Sequence, residues 1–221
     1  MMNLYEILKR RYILFKTNSI KKKLGACGKE CSIFSKLSKP QNIFLGDYTL
    51  IQPNCTFIIH TGKFIIKKWS SLSCNCTIVT GNHTPTVGIN QRLLGRLHFN
   101  DKEKDIIVEE DCWIGANVTL LSGAHIGRGT VVGACSLVNK KIPPYAVVVG
   151  TPARIIASKF SYEEVLEHEK KLYPKEERLS PEYLKEIFDT FYRGKRSIGI
   201  NYISEELRNK LASIDNLQYE I

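Results

Sequence analysis

The stretch VEEDCWIGANVTLLSGAHIGRGTVVGACSLV, residues 108–138, decides the fold. Aliphatic residues recur in it every six positions, at Val108, Ile114, Leu120, Ile126, Val132 and Val138. Glycine follows three of them directly, at Gly115, Gly127 and Gly133. Four places after the aliphatic residues stand the small side chains of Cys112, Val118, Ala124, Thr130 and Ser136. A period of six is neither the 3.6 of a helix nor the 2 of a half-buried strand. It is a short internal repeat. One hexad cannot bury its aliphatic side chain alone. If each hexad forms one short side of a coil, the side chain points inward and stacks on the coils above and below. Glycine beside it allows a corner or a close backbone approach that a larger residue forbids.

Working outward, a first array of the same period runs through Leu45, Ile51 and Phe57, then Ile66, Leu72 and Ile78. The step from Phe57 to Ile66 is nine, so a three-residue slip lies near His60 to Lys63. Residues 84–105 interrupt the repeat; with Pro85, Gly88 and Gly95 they read as a long loop leaving the coil, a kind of segment that is usually functional or mobile. The second array runs out at Lys140, Lys141, Ile142, Pro143 and Pro144, where two prolines remove two backbone donors.

From Asp111 to Val118, and on through residues 147–156, the chain resembles the hexapeptide-repeat acyltransferases. It is most similar to the branch of galactoside, maltose and xenobiotic acetyltransferases and of surface-polysaccharide O-acetyltransferases. The resemblance covers residues 43–156 and neither end. It implies a mainly β fold: a left-handed parallel β-helix of three hexads per coil, against the right-handed rule for crossovers, assembled as a homotrimer with active sites between subunits. The expected organisation is a basic N-terminal amphipathic helix over 1–24, the β-helix over 25–157 with a protruding loop at 84–105, and a helical C-terminal extension over 158–221.

The ends are read from their own residues. Residues 1–23 carry seven Lys/Arg against one acidic residue, with Leu4, Ile7, Leu8 and Arg11 at helical spacing. That helix either covers the open end of the coil or touches a membrane surface. Beyond Ser158, Ser161 and Glu164 form a capping box, Ser180 and Pro181 start a second helix, and Ser204 starts a third. The net charge of +10 fits phosphate-rich ligands, and no aromatic-basic module for nucleic acid is present. Seven cysteines form no disulfide or metal framework: Cys55, Cys76 and Cys112 occupy small inward places, and Cys27 with Cys31 lacks a second pair. This usage suits a reducing, cytoplasmic setting, and no secretory or spanning segment is legible.

His83, within Asn82-His83-Thr84-Pro85 where the first array gives way to the loop, is the candidate catalyst. The resemblance implies that a histidine here takes the proton from an acceptor hydroxyl or amine, which then attacks acetyl-coenzyme A directly. A near-neutral imidazole is suited to this if a carbonyl or carboxylate holds its other nitrogen, and the sequence does not name that group. Asn82 orients acceptor or loop, or is simply a turn residue. Asn54 lies close to a substrate-binding Asn of the family. Trp113, Ala116, Ala134, Asn139, Lys140 and Arg154 match positions that line the coenzyme A groove; small residues at 116 and 134 leave room for a pantetheine arm, and the basic ones suit its phosphates. His98 and His125 are weaker candidates, and His98 reaches the site only if the loop folds back over it. No metal is expected. The resulting reading is acetyl transfer from acetyl-coenzyme A to a sugar hydroxyl of a surface polysaccharide or its precursor. N-acetylation of an amino-sugar nucleotide is the nearest alternative. Further off are a scaffold without chemistry and a γ-type carbonic anhydrase, whose close pair of histidines is missing.

Overall fold

The computed structural model describes residues 18–212. Of the helix expected over 1–24, residues 1–17 lie outside the described residues; residues 18–21 are helical and 22–24 turn instead of continuing the helix. The chain forms two compact units, divided between Ile156 and Ala157.

The first unit is a left-handed parallel β-helix. Its strands are short and fall into three sheets. The first holds β1 (Ala26–Cys27), β3 (Ile43–Leu45), β6 (Phe64–Ile66), β9 (Ile106–Val108), β12 (His125–Ile126) and β15 (Lys141–Ile142). The second holds β2 (Ser32–Ile33), β4 (Leu50–Ile51), β7 (Ser71–Leu72), β10 (Trp113–Ile114), β13 (Val131–Val132) and β16 (Ala146–Val149), with β17 (Arg154–Ser158) at its end. The third holds β5 (Thr56–Ile58), β8 (Thr77–Val79), β11 (Thr119–Leu121) and β14 (Leu137–Val138). The loop that interrupts the repeat carries one helix of its own, α1 (Gln91–Leu97).

Register explains the hexad arithmetic. Ala26 pairs with Phe44 and Trp113 with Val131, so three hexads close one turn. Phe44 pairs with Ile65, three positions beyond the reach of three hexads, and this excess is the slip. Ile65 pairs with Ile107, so the whole interrupting loop is accommodated within a single turn of the coil. The inward aliphatics stack in columns, for example Leu72, Ile114 and Val132 or Ile78, Leu120 and Val138, all fully buried. Burial of each such side chain stabilises the coil by roughly 1.5–3 kcal/mol.

The coil extends past both ends of the legible repeat. It starts one turn earlier, at β1, and continues beyond Pro144 into β16. Val132 pairs with Val148, two positions short of three hexads, so the six-step count misses the last turn.

Two edges of the prism turn through residues of positive φ. Tyr48, Trp69, Asp111, Gly129 and Tyr145 line the first-to-second edge; Asn54, Asn75, Asn117 and Cys135 line the second-to-third. Amides at these corners reach back one coil, as in Trp69 N–H to the Asp47 carbonyl at 2.9 Å and Asn117 N–H to the Cys74 carbonyl at 3.0 Å. The glycines of the repeat have the other function. A Cβ on Gly115 would stand 2.7 Å from the Ala134 nitrogen, and one on Gly127 2.5 Å from the Pro144 nitrogen. They permit close coil-on-coil contact, while asparagine and a few bulkier residues bear the left-handed backbone.

Cys55, Cys76 and Cys112 are buried and free of disulfides, each thiol aimed at a carbonyl of a neighbouring coil.

The second unit is helical. Helix α2 (Tyr162–Leu172) opens on the Ser161–Glu164 capping box, with Ser161 Oγ accepting from the Glu164 amide and the Glu164 carboxylate from the Ser161 amide. Helix α3 (Pro181–Ile187) is capped by Ser180, and a π-helical turn at Phe188–Tyr192 sets Phe188 edge-on against Tyr192. Helix α4 (Glu205–Ala212) follows Ser204, whose Oγ accepts from the Leu207 amide at 3.1 Å.

Candidate active site

The insertion leaves the coil after Thr80 and rejoins it at Asp105, on the third-to-first edge. Inside it, Asn90 caps α1 by accepting from the Leu93 amide, and Leu94 anchors the helix by full burial. His98 ends the helix as a left-handed cap, with φ 49. Asn100, also at positive φ, turns the chain again, and Asp101 is brought back towards His83.

Asp101 Oδ2 lies 3.1 Å from Nδ1 of His83 and 3.0 Å from Nδ1 of His98. The His98 ring lies flat on that of His60, with centroids 4.3 Å apart and planes 8° apart. The Asp101 side chain is 8% exposed, while that of His83 is 49% exposed and open to a ligand. Loss of solvent raises the Asp101 carboxyl, but hydrogen bonds and charge from His98 and His83 outweigh it and hold the group below the usual carboxylate range. Among the described residues, His83, His98 and Asp101 are the set whose ligand atoms lie within 4.8 Å of one another, as a metal would require.

The returning limb of the loop is pinned to the slip. Glu103 Oε2 accepts from the amides of Thr61 and Gly62 at 2.8 and 2.7 Å and from Thr80 Oγ1 at 2.9 Å. Burial raises its carboxyl, and these donors overcome that and lower it. Asp105 Oδ1 accepts from the Lys63 amide. The extra residues of the slip therefore form the receptor for the loop.

The remaining site candidates separate by edge. Asn82 and His83 leave the third-to-first edge; Asn139 and Lys140 lie on the same edge two coils on and are exposed. Ala116 and Ala134 lie one above the other on the second-to-third edge, Trp113 projects from the second sheet half-exposed, and Arg154 is exposed in β17. Asn54 also lies on the second-to-third edge, in the column of Asn75 and Asn117, where a left-handed turn already accounts for it (φ 64). His125 is tied to Glu109 at 2.8 Å, on the outer face of the first sheet. Sequence reasoning misses Asp101 and Glu103. The one available signal is that acidic residues follow His98 in an insertion that must return to the slip.

A family model for bacterial transferase hexapeptide repeats, six in number, matches residues 105–140. The chain is 31% identical over 139 residues to galactoside O-acetyltransferase of Lactococcus lactis subsp. lactis, covering 62% of this chain and 64% of that one. It is 30% identical over 128 residues to a protein of Escherichia coli K12 provisionally named a colanic acid biosynthesis acetyltransferase (WcaF), covering 58% and 65%. The chain thus spans slightly less than two thirds of the length of either relative. A hexapeptide-repeat acetyltransferase of Vibrio cholerae, solved with acetyl coenzyme A, superposes with a TM-score of 0.57 at 28% identity, over 66% of this chain and 76% of that one. Repeats, coil and relatives agree: residues 105–140 match the hexapeptide-repeat model, and the part of this chain wound into the β-helix is similar to the hexapeptide-repeat acetyltransferases.

Proposed function

We propose that the chain is an acetyl-coenzyme A-dependent O-acetyltransferase acting on a sugar hydroxyl of a surface polysaccharide or its precursor. The observation that carries this reading is the contact between Asp101 and His83 Nδ1. An ionised carboxylate there accepts from Nδ1–H, so Nε2 is left bare as a base. His83 Nε2 removes the proton of the acceptor hydroxyl as its oxygen attacks the thioester carbonyl. The tetrahedral intermediate collapses, the carbon–sulfur bond breaks, and the imidazolium returns the proton to the thiolate.

Ala116 and Ala134 leave a shallow track for pantetheine, with Trp113 beside it. Arg154 is an exposed cation for the coenzyme's phosphates, and Lys140, exposed on the edge that carries His83, would meet them from the neighbouring copy. His83 and this track lie on different edges of one prism. That supports a cyclic homotrimer in which one copy brings the base and its neighbour the track. The galactoside and colanic acid names of the relatives support a sugar acceptor.

Purified protein, acetyl-coenzyme A and a panel of free and nucleotide-linked sugars, with and without amino groups, test the reading by mass spectrometry. An acetyl ester on a hydroxyl is expected, and it disappears in His83→Ala. Acetylation confined to amines would replace this proposal by the N-acetyl alternative.

A further inference from the structure

Asp101 faces two imidazoles, and the second has no part in the mechanism above. With the carboxylate ionised, the contact at 3.0 Å requires N–H at Nδ1 of His98. That ring is itself held from behind by the His60 stack. His60 belongs to the slip segment, which the coil fixes: Asn42 Nδ2 donates to the carbonyls of His60 and Gly62. A chain of contacts therefore runs from the coil through His60 and His98 to Asp101, and from there to His83.

A carboxylate with one partner can rotate about its Cα–Cβ and Cβ–Cγ bonds. Two N–H donors converging on the same Oδ2 define its rotamer. His83, half-exposed, has Asp101 as the hydrogen-bond partner that the structure gives its ring. Its tautomer and aim thus depend on where Asp101 points.

We infer that His98 is a positioning residue for acetyl transfer: its Nδ1–H, on a ring laid against His60, fixes the Asp101 carboxylate that orients His83. This rests on the reading of His83 as the base.

Two substitutions separate the hydrogen bond from the stack. His98→Asn places an amide N–H where Nδ1 was and suits the left-handed backbone at this position (φ 49). His98→Phe keeps a flat ring for His60 and removes the donor. In the full-length chain, the Phe variant is expected to lose kcat by roughly tenfold to a hundredfold, the usual effect of an outer supporting group, with KM for acetyl-coenzyme A within about twofold. The Asn variant is expected to recover most of that loss. Nitrogen-15 chemical shifts of the His83 ring give a readout independent of turnover: one tautomer in the native and Asn proteins, a mixture in the Phe protein. Equal damage in both variants, or a Phe variant more active than the Asn variant, overturns the inference, as does an unchanged His83 tautomer in the Phe protein. His83→Ala is measured alongside. Full activity there would reject the base itself; its loss, together with a native-like Phe variant, would reject only the role given to His98.

Discussion

Gly129→Ala tests how tightly the coils are stacked. Gly129 has φ +70 and lies in the first-to-second edge column with Asp111 before it and Tyr145 after it. Alanine in the left-handed region costs about 1–2 kcal/mol. Losing glycine's freedom in the unfolded chain returns about 0.4–1 kcal/mol of that. The larger cost is steric. The new Cβ would stand 2.5 and 2.6 Å from Cε1 and Cδ1 of the Tyr145 ring. Tyr145 is fully buried and itself at positive φ, with its amide bonded to the Arg128 carbonyl, so it cannot swing clear without unmaking the edge. Overpacking of this kind costs about 1–3 kcal/mol. The sum is a destabilisation of roughly 2–4 kcal/mol.

Urea unfolding of the coil, followed by tryptophan fluorescence and far-ultraviolet circular dichroism, measures it. A double-mutant cycle with Tyr145→Ala isolates the steric part, since alanine lacks both the δ and ε carbons that the new Cβ would meet. A coupling of about 1–3 kcal/mol is expected between the two sites. A loss below about 1 kcal/mol, or no coupling, would show that the ring does not close over Gly129 as described.

Two further predictions concern the loop. In Asp101→Asn the amide sets an N–H against at least one imidazole and removes the charge, so kcat should fall by roughly 10²–10⁴ with acetyl-coenzyme A binding intact, and steady-state kinetics with calorimetry would show otherwise if His83 needs no carboxylate. Glu103→Ala should abolish protection of the Thr61 and Gly62 amides in hydrogen exchange while leaving the inner strands protected. Because the folded Glu103 carboxyl is lowered, its contribution is full above the unfolded value of about 4.3 and is lost as pH falls through the lower folded value, so in the native protein these amides should stay protected at about pH 6 and open only below about pH 4.

The coil is legible because one physical rule, an inward aliphatic per side, repeats without exception from Val108 to Val138. Its ends are not, since the last turn is shortened around Pro143 and Pro144 and the first has Lys39 where an inward aliphatic would stand. His83 is legible through its place at the break in the repeat. Asp101 is not, because its meeting with His83 depends on two left-handed residues, His98 and Asn100, that fold the loop back, and neither is the glycine that usually marks such a turn. The slip and the loop are each visible as irregularities. That one receives the other depends on backbone amides of Thr61 and Gly62, which no side-chain pattern reveals.

The separation of the site by edges leads to a last prediction. On a three-sided prism, the third sheet lies between the edge bearing His83 and the edge bearing Ala116 and Ala134. On the function proposed above, base and track occupy different edges of one copy, so the base of one copy would serve the thioester on another. In a ring of copies, the edge of one can face the edge of the next. Two inactive variants then become informative together. His83→Ala keeps the track and loses the base; Ala134→Leu, at an exposed position, fills the track and keeps the base. Co-expressed at equal levels and mixed at random, they should recover roughly a quarter of native activity, because one in four neighbouring pairs joins an intact base to an intact track. Each variant alone should stay near background, and mixing them after assembly should restore nothing until the subunits exchange. Recovery absent under co-expression, with mixed oligomers demonstrated by differential tagging, would mean that base and track act within one copy, and the coenzyme would then have to lie on the third-to-first edge beside Asn139 and Lys140.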